Sequence, residues 1–71
     1  MSQFSKTLSR QDRTIRYSIS ATSDGWQVRE ERDNRVVKEV RYSDWHRVER
    51  ARQSITITLR DLEDKGWAET N

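Results

Sequence analysis

The chain has 71 residues, of which 37% are charged and 31% are hydrophobic, so it can form one small domain with a limited core. It contains no cysteine, which excludes disulfides and thiol chemistry. No apolar stretch approaches the roughly 20 residues that span a bilayer, and the N-terminus lacks the apolar core of a signal peptide. We therefore expect a soluble cytoplasmic protein. Lys and Arg exceed Asp and Glu by 14 to 12, for a net charge of +2, and the two signs are interleaved along the chain.

The first residues are polar, with Phe4 and Leu8 as the sizeable hydrophobic exceptions after the initiator. This composition predicts a mobile N-terminal arm over residues 1–13. An extra edge strand over Phe4 to Leu8 is the alternative. The remaining residues, 14–71, are predicted to form a single domain.

Apolar residues then alternate with polar ones in three short runs, which are separated by turn residues at Asp24-Gly25 and Asp33-Asn34. This period of two predicts a three-stranded antiparallel meander. A four-residue loop over residues 22–25, with Gly25 at the position of positive φ, sets Ile19 opposite Val28. A three-residue loop over residues 33–35 sets Val28 opposite Val40. A two-residue loop would shift this pairing by one residue and mix the two faces of the sheet.

This register predicts one apolar face and one polar face. The apolar face carries Ile15, Tyr17, Ile19, Trp26, Val28, Val36, Val40 and Tyr42. The polar face carries Arg16, Ser18, Ser20, Gln27, Arg29, Glu31, Val37, Glu39 and Arg41. On the polar face, Arg16 lies opposite Glu31 and Arg29 lies opposite Glu39, which makes two pairs of opposite charge across neighbouring strands.

From Ser43 to Lys65 the apolar residues recur every three or four positions, which predicts one long helix. Ser43 is suited to the N-cap, and Gly66 is suited to end the helix with Trp67 folded back on its last turn. The predicted core-facing arc is Trp45, Val48, Ala51, Ile55, Leu59 and Leu62. The sequence thus predicts an α+β fold of order β-β-β-α, with the helix packed across one sheet face. Its predicted core centre is Trp26, Val28, Val40 and Leu59, with Tyr42 and Trp45 near the corner between strand and helix.

Little in the chain suggests catalysis. The only histidine, His46, lies near Ser43, Asp44 and Glu49, but on one helical turn these side chains diverge around the axis. One His without Cys does not make a usual zinc site, and two isolated glycines do not make a phosphate-binding loop. We expect no enzymatic activity, cofactor, metal or small-molecule substrate.

A run of residues suggests nucleic-acid binding as an alternative function. Gly25-Trp26-Gln27-Val28-Arg29, followed by Arg32-Asp33 and Arg35-Val36, resembles the middle strands of plant APETALA-type DNA-binding domains. The three-stranded sheet with one helix is also similar to integrase N-terminal domains. The resemblance implies that the polar sheet face contacts nucleic acid.

The predicted phosphate contacts on that face are Arg16, Arg29 and Arg41, helped by Lys6, Arg10 and Arg13 on the arm. The face also carries Glu31 and Glu39 and has no aromatic residue for base stacking. The alternative is therefore weak, non-specific binding of DNA or RNA.

The outer side of the helix suggests a different function. Ile57 lies away from the apolar arc, and the helix carries its arginines early and its carboxylates late, against its own dipole. An antiparallel second copy, with the two-fold axis at Ile57, would place opposite charges together. The predicted dimer interface is Arg50, Gln53, Ser54, Ile57, Asp61 and Asp64. The preferred function is an interaction module that acts through its own homodimer or another protein partner.

Overall fold

The computed structural model describes residues 4–70. In chain order the elements are β1 (Phe4–Arg10), β2 (Arg13–Thr22), β3 (Gly25–Arg32), β4 (Arg35–Tyr42), α1 (Trp45–Asp64) and β5 (Ala68–Glu69). The strands form one antiparallel sheet in the order β4-β3-β2-β1-β5, and α1 lies across one of its faces. The α+β class predicted from the sequence is confirmed.

The predicted number of strands was wrong, because residues 4–10 of the expected arm form β1. This strand pairs with β2 along its whole length, from Phe4 opposite Ile19 to Arg10 opposite Arg13. Leu8 is only 1% exposed and belongs to the core. Lys6 interrupts the apolar alternation that would have predicted this strand, because it occupies an inward-facing position between Phe4 and Leu8. Residues 1–3 of the expected arm lie outside the described residues.

The predicted pairing of β3 with β4 is confirmed, but it is reached through a different turn. Asp33 and Asn34 form a two-residue turn, with φ values of 51° and 67° that Asp and Asn tolerate. A β-bulge then restores the register that places Val28 opposite Val40. Because Val36 pairs with Glu31, it lies on the polar face and is 52% exposed. Its predicted place on the apolar face was wrong.

The turn between β2 and β3 has the predicted register, with Ala21 opposite Trp26 and Ile19 opposite Val28. Gly25 is required at the start of β3, where it approaches the end of β4. A Cβ atom there would collide with the carbonyl oxygen of Tyr42. This close approach brings the end of β4 to the position from which α1 begins.

The N-cap of α1 is Asp44, whereas the sequence predicted Ser43. The Asp44 carboxylate accepts a hydrogen bond from the backbone N–H of His46 at 3.0 Å, and its negative charge also suits the helix N-terminus. The predicted C-terminus is confirmed. Gly66 has φ +100°, and the Trp67 N–H donates to the Leu62 carbonyl at 3.0 Å.

The core lies closer to β1 and β2 than the sequence predicted. The buried residues are Leu8, Ile15, Tyr17, Ile19, Val48, Ile55 and Leu59. Of the predicted core centre, Leu59 is buried, whereas Trp26, Val28 and Val40 are only partly buried. The reason is that β1 adds a strand beyond β2, so the centre of the sheet moves from β3 to β2 and away from β4.

Candidate interaction surfaces

The outer helix face comprises the six predicted interface residues Arg50, Gln53, Ser54, Ile57, Asp61 and Asp64. Ile57 is 69% exposed, whereas Ile55 and Leu59, two positions to either side, are buried. At 3.6 residues per turn, this alternation places Ile57 on the side of α1 away from the sheet. The structure thus leaves a large branched side chain in water at the middle of the helix.

The charges of the outer helix face are only partly satisfied within one chain. Asp61 pairs with Lys65 at 3.1 Å, as the spacing of four residues favours. The described residues supply no ion-pair partner for Arg50 or Asp64, which lie seven positions to either side of Ile57. The first turn of α1 carries no acidic residue and its last turn carries no basic residue. Apart from the Asp44 cap, the side-chain charges of the helix therefore do not offset its dipole.

The structure refines which helix residues surround Ile57. A shallow depression beside it is formed by Glu49, Arg52, Gln53, Thr56, Ile57 and Arg60. Ser54 lies toward the opposite flank of α1, on the same side as Ala51 and Thr58. Arg52, Thr56 and Arg60 are residues that the sequence-based interface omitted. The helical wheel could have supplied Arg60, which lies about 60° from Ile57 around the axis, but not Arg52, whose guanidinium group lies 5.7 Å from the centre of the Phe4 ring.

The three arginines predicted to contact nucleic acid do share the polar face of the sheet. Arg29 pairs with Glu39 at 3.0 Å, and Arg16 approaches Glu31 at 3.9 Å, so both predicted charge pairs are present. Arg41 has no carboxylate within 4 Å among the described residues. Two of the three cations are thus already paired with acidic groups.

The cations of the expected arm lie on the other face of the sheet. Lys6 is opposite the core residue Tyr17, and its ammonium group pairs with Glu69 at 3.1 Å. Arg10 and Arg13 lie opposite each other at the turn between β1 and β2, on the same face as Ile15. The structure therefore does not bring this group together with the arginines of the polar face.

A half-open groove of about 270 Å³ separates α1 from β3 and β4. It exists because α1 starts after β4 and crosses toward β1 and β5, which leaves the far ends of β3 and β4 uncovered. Its lining residues are Tyr17, Val28, Glu30, Lys38, Val40, Tyr42, Ala51, Ser54, Ile55 and Thr58. The middle of the groove is apolar and its far end is charged.

The charged end of the groove is organised around Glu30. Its carboxylate pairs with Arg32 at 2.9 Å, and this hydrogen bond raises the pKa of Arg32 above its usual value. Burial and, to a smaller extent, the Glu30 charge raise the pKa of the Tyr17 hydroxyl. Lys38 lies opposite Glu30 in the sheet but has no carboxylate within 4 Å among the described residues. It is the unpaired cation of the groove.

The side chains considered for catalysis, those around His46, lie at the start of α1. His46 is exposed on α1, and the Asp44 carboxylate caps the helix at the His46 N–H. Across residues 4–70, no three His, Cys, Asp or Glu side chains are grouped so that they could hold a metal ion. The described helix has 20 residues but is too polar to cross a membrane.

No protein-family model, curated protein or solved structure matches this chain. The resemblance to three-stranded DNA-binding domains also meets a structural difference, because four long strands precede the helix here. The function must therefore be inferred from the surfaces of the protein itself.

Proposed function

We propose that this protein is a non-catalytic interaction module that acts as a homodimer through its outer helix face. The observation that supports this proposal is the arrangement on α1. Ile57 is exposed at the centre, and Arg50 and Asp64, which have no ion-pair partner among the described residues, lie at equal distances on either side. An exposed isoleucine alone would need no explanation. Its position midway between two unpaired, opposite charges is what favours a second copy.

The contact follows from the geometry of two antiparallel helices. Each residue of α1 rises 1.5 Å, so Arg50 and Asp64 lie about 10 Å from Ile57 along the axis. With a two-fold axis at Ile57, Arg50 faces Asp64 of the second copy and Gln53 faces Asp61. The Arg50–Asp64 charge pair and the Gln53–Asp61 contact each form twice because the contact is isologous. The antiparallel arrangement also brings each acidic helix end beside the basic helix start of the other copy.

The nucleic-acid alternative has weaker support. Arg16 and Arg29 would have to leave Glu31 and Glu39 before they could neutralise phosphates. The remaining basic groups of residues 6–13 lie on the opposite side of the sheet. A nucleic-acid-binding surface usually concentrates its cations on one face.

The test compares the sedimentation of the parent protein with that of Ile57→Glu. The parent should be a dimer at about 0.1–1 mM, where even weak pairs associate. Ile57→Glu should be monomeric, because the new carboxylates meet across the axis and lie near Asp61. Its far-UV circular dichroism should match the parent, since residue 57 does not contact the core.

Val37→Glu is the matched control, because Val37 is 54% exposed on β4, away from α1. It also replaces an exposed apolar side chain by glutamate, but outside the outer helix face, and should leave the dimer intact. A monomeric parent at these concentrations would exclude the proposed dimer. DNA binding that weakens steeply with salt and is lost on Arg29→Glu and Arg41→Glu would instead favour the alternative.

A further inference from the structure

The strand β4 forms a free edge of the sheet. The opposite edge, β1, is partly covered by β5 and by a hydrogen bond from the Thr70 N–H to the Thr7 carbonyl. Within the described residues, β4 pairs only with β3, so the outward-facing backbone groups of its eight residues are left without a strand partner. Such an edge is a template for an added strand.

The free edge is basic. Arg35, Lys38 and Arg41 have no carboxylate within 4 Å among the described residues. The one acidic residue of β4, Glu39, accepts hydrogen bonds from Gln27 and Arg29 of β3. The side chains of β4 thus include three cations without a carboxylate partner among the described residues, whereas its one carboxylate, that of Glu39, is hydrogen-bonded to β3.

The groove beside β4 contains apolar side chains against which an added strand could pack. Val40 and Tyr42 form its β4 side, and Ala51 and Ile55 form its α1 side. Side chains of a neighbouring strand alternate between the groove and the polar face. The bulge at Val36 and Val37 disturbs the first part of the edge, which leaves residues 38–42 as the regular stretch.

We propose that residues 38–42 of β4 bind an extended acidic peptide of a partner protein by strand addition. Backbone hydrogen bonds to the edge would supply affinity, and alternate side chains would supply specificity. Carboxylates are expected opposite Lys38 and Arg41, and an apolar side chain is expected opposite Val40. A second copy of β4 is a poorer occupant, because it would add three more unpaired cations to the same edge. This inference does not depend on the proposed dimer.

The probe is a blocked heptapeptide with the order threonine, valine, glutamate, valine, threonine, glutamate, threonine. In an antiparallel register its two glutamates lie opposite Arg41 and Lys38, and its second valine lies opposite Val40. A control peptide carries lysine in place of both glutamates. Binding is followed through the backbone amide signals of the ¹⁵N-labelled full chain.

The acidic peptide should bind with a Kd below about 1 mM and shift the amide signals of residues 38–42. The double variant with Lys38→Glu and Arg41→Glu should lose at least about tenfold in affinity, which corresponds to about 1.4 kcal/mol, and should prefer the lysine peptide. Both replaced side chains are exposed, so the variant should keep the fold. Arg13→Glu is the matched control at an unpaired arginine on another edge of the molecule and should bind as the parent does.

Equal binding of both peptides, or unshifted signals at residues 38–42, would overturn the proposal. A change in sedimentation mass on Lys38→Glu would also overturn it, because the edge would then pair with a second copy. Ile57→Glu should retain peptide binding even where it abolishes the dimer. Failure of the peptide site and failure of the proposed dimer are therefore distinguishable.

Discussion

The Tyr17 side chain is only 6% exposed, and burial together with the Glu30 carboxylate raises the pKa of its hydroxyl. The folded protein therefore holds this proton more tightly than the unfolded chain, whose tyrosines titrate near about pH 10. The contribution of this pKa difference to the free energy of unfolding is fully present below about pH 10. It is lost as the pH rises through the higher pKa of the folded state.

Tyr17→Phe should remove this pH dependence, because phenylalanine fills the same space without an ionisable group. The free energy of unfolding of the parent should fall more steeply than that of the variant above about pH 10. Urea unfolding at a series of alkaline pH values measures the difference. If the free energies of unfolding of the two proteins change in parallel with pH, the pKa of Tyr17 does not differ between the folded and unfolded states.

At the scale of the elements, β1 is an integral part of the core, although its sequence is mostly polar. Leu8→Ala should destabilise the protein by about 2–5 kcal/mol, because the cavity would open where the side chain is almost fully buried. Leu59→Ala, on the helix side of the same core, should cost a similar amount. Urea unfolding measures both effects.

Ser9→Ala is the control for this prediction, because Ser9 is the next residue of β1 and faces the other side of the sheet. It should change the free energy of unfolding by no more than about 0.5 kcal/mol. If Leu8→Ala unfolds at the same urea concentration as the parent, residues 4–10 are not part of the folded unit.

The sequence predicted the features that depend on local periodicity and on cross-strand chemistry. These include the α+β class, the pairing of Val28 with Val40, and the end of the helix at Gly66. It gave a strand over Phe4 to Leu8 only as the alternative to a mobile arm, because a single inward-facing lysine breaks the alternation and its counter-charge, Glu69, lies 63 residues away. It also excluded the two-residue turn at Asp33, because it did not allow for a bulge that restores the register.

The candidate surfaces were predictable to different degrees. The exposure of Ile57 follows from helical spacing alone. The groove beside β4 does not, because it depends on the direction in which α1 crosses the sheet. The split between the arginines of the polar face and those of residues 6–13 also requires the structure, because it depends on β1 being a strand.

At the scale of the whole molecule, the two proposed contacts use different surfaces, which have Ser54 in common. The outer helix face points away from the sheet, whereas the β4 edge lies at its side. A dimer formed through α1 would therefore carry two free β4 edges. Such a dimer would bind two acidic segments at once, and binding to a partner with two linked segments would be strengthened by their high effective concentration.

The antiparallel helix contact is tested most directly by a charge swap measured by sedimentation equilibrium. Arg50→Asp and Asp64→Arg each place like charges together across the two-fold axis, whereas the double variant restores both pairs with their signs exchanged. Residues 50 and 64 form no ion pair with the described residues of their own chain, and they lie about 21 Å apart along α1, so rescue in the double variant would arise between copies. We predict dimers for the parent and the double variant at about 0.1–1 mM, and weaker association for each single variant. A monomeric parent, or a double variant that associates no better than the single variants, would contradict the proposed dimer.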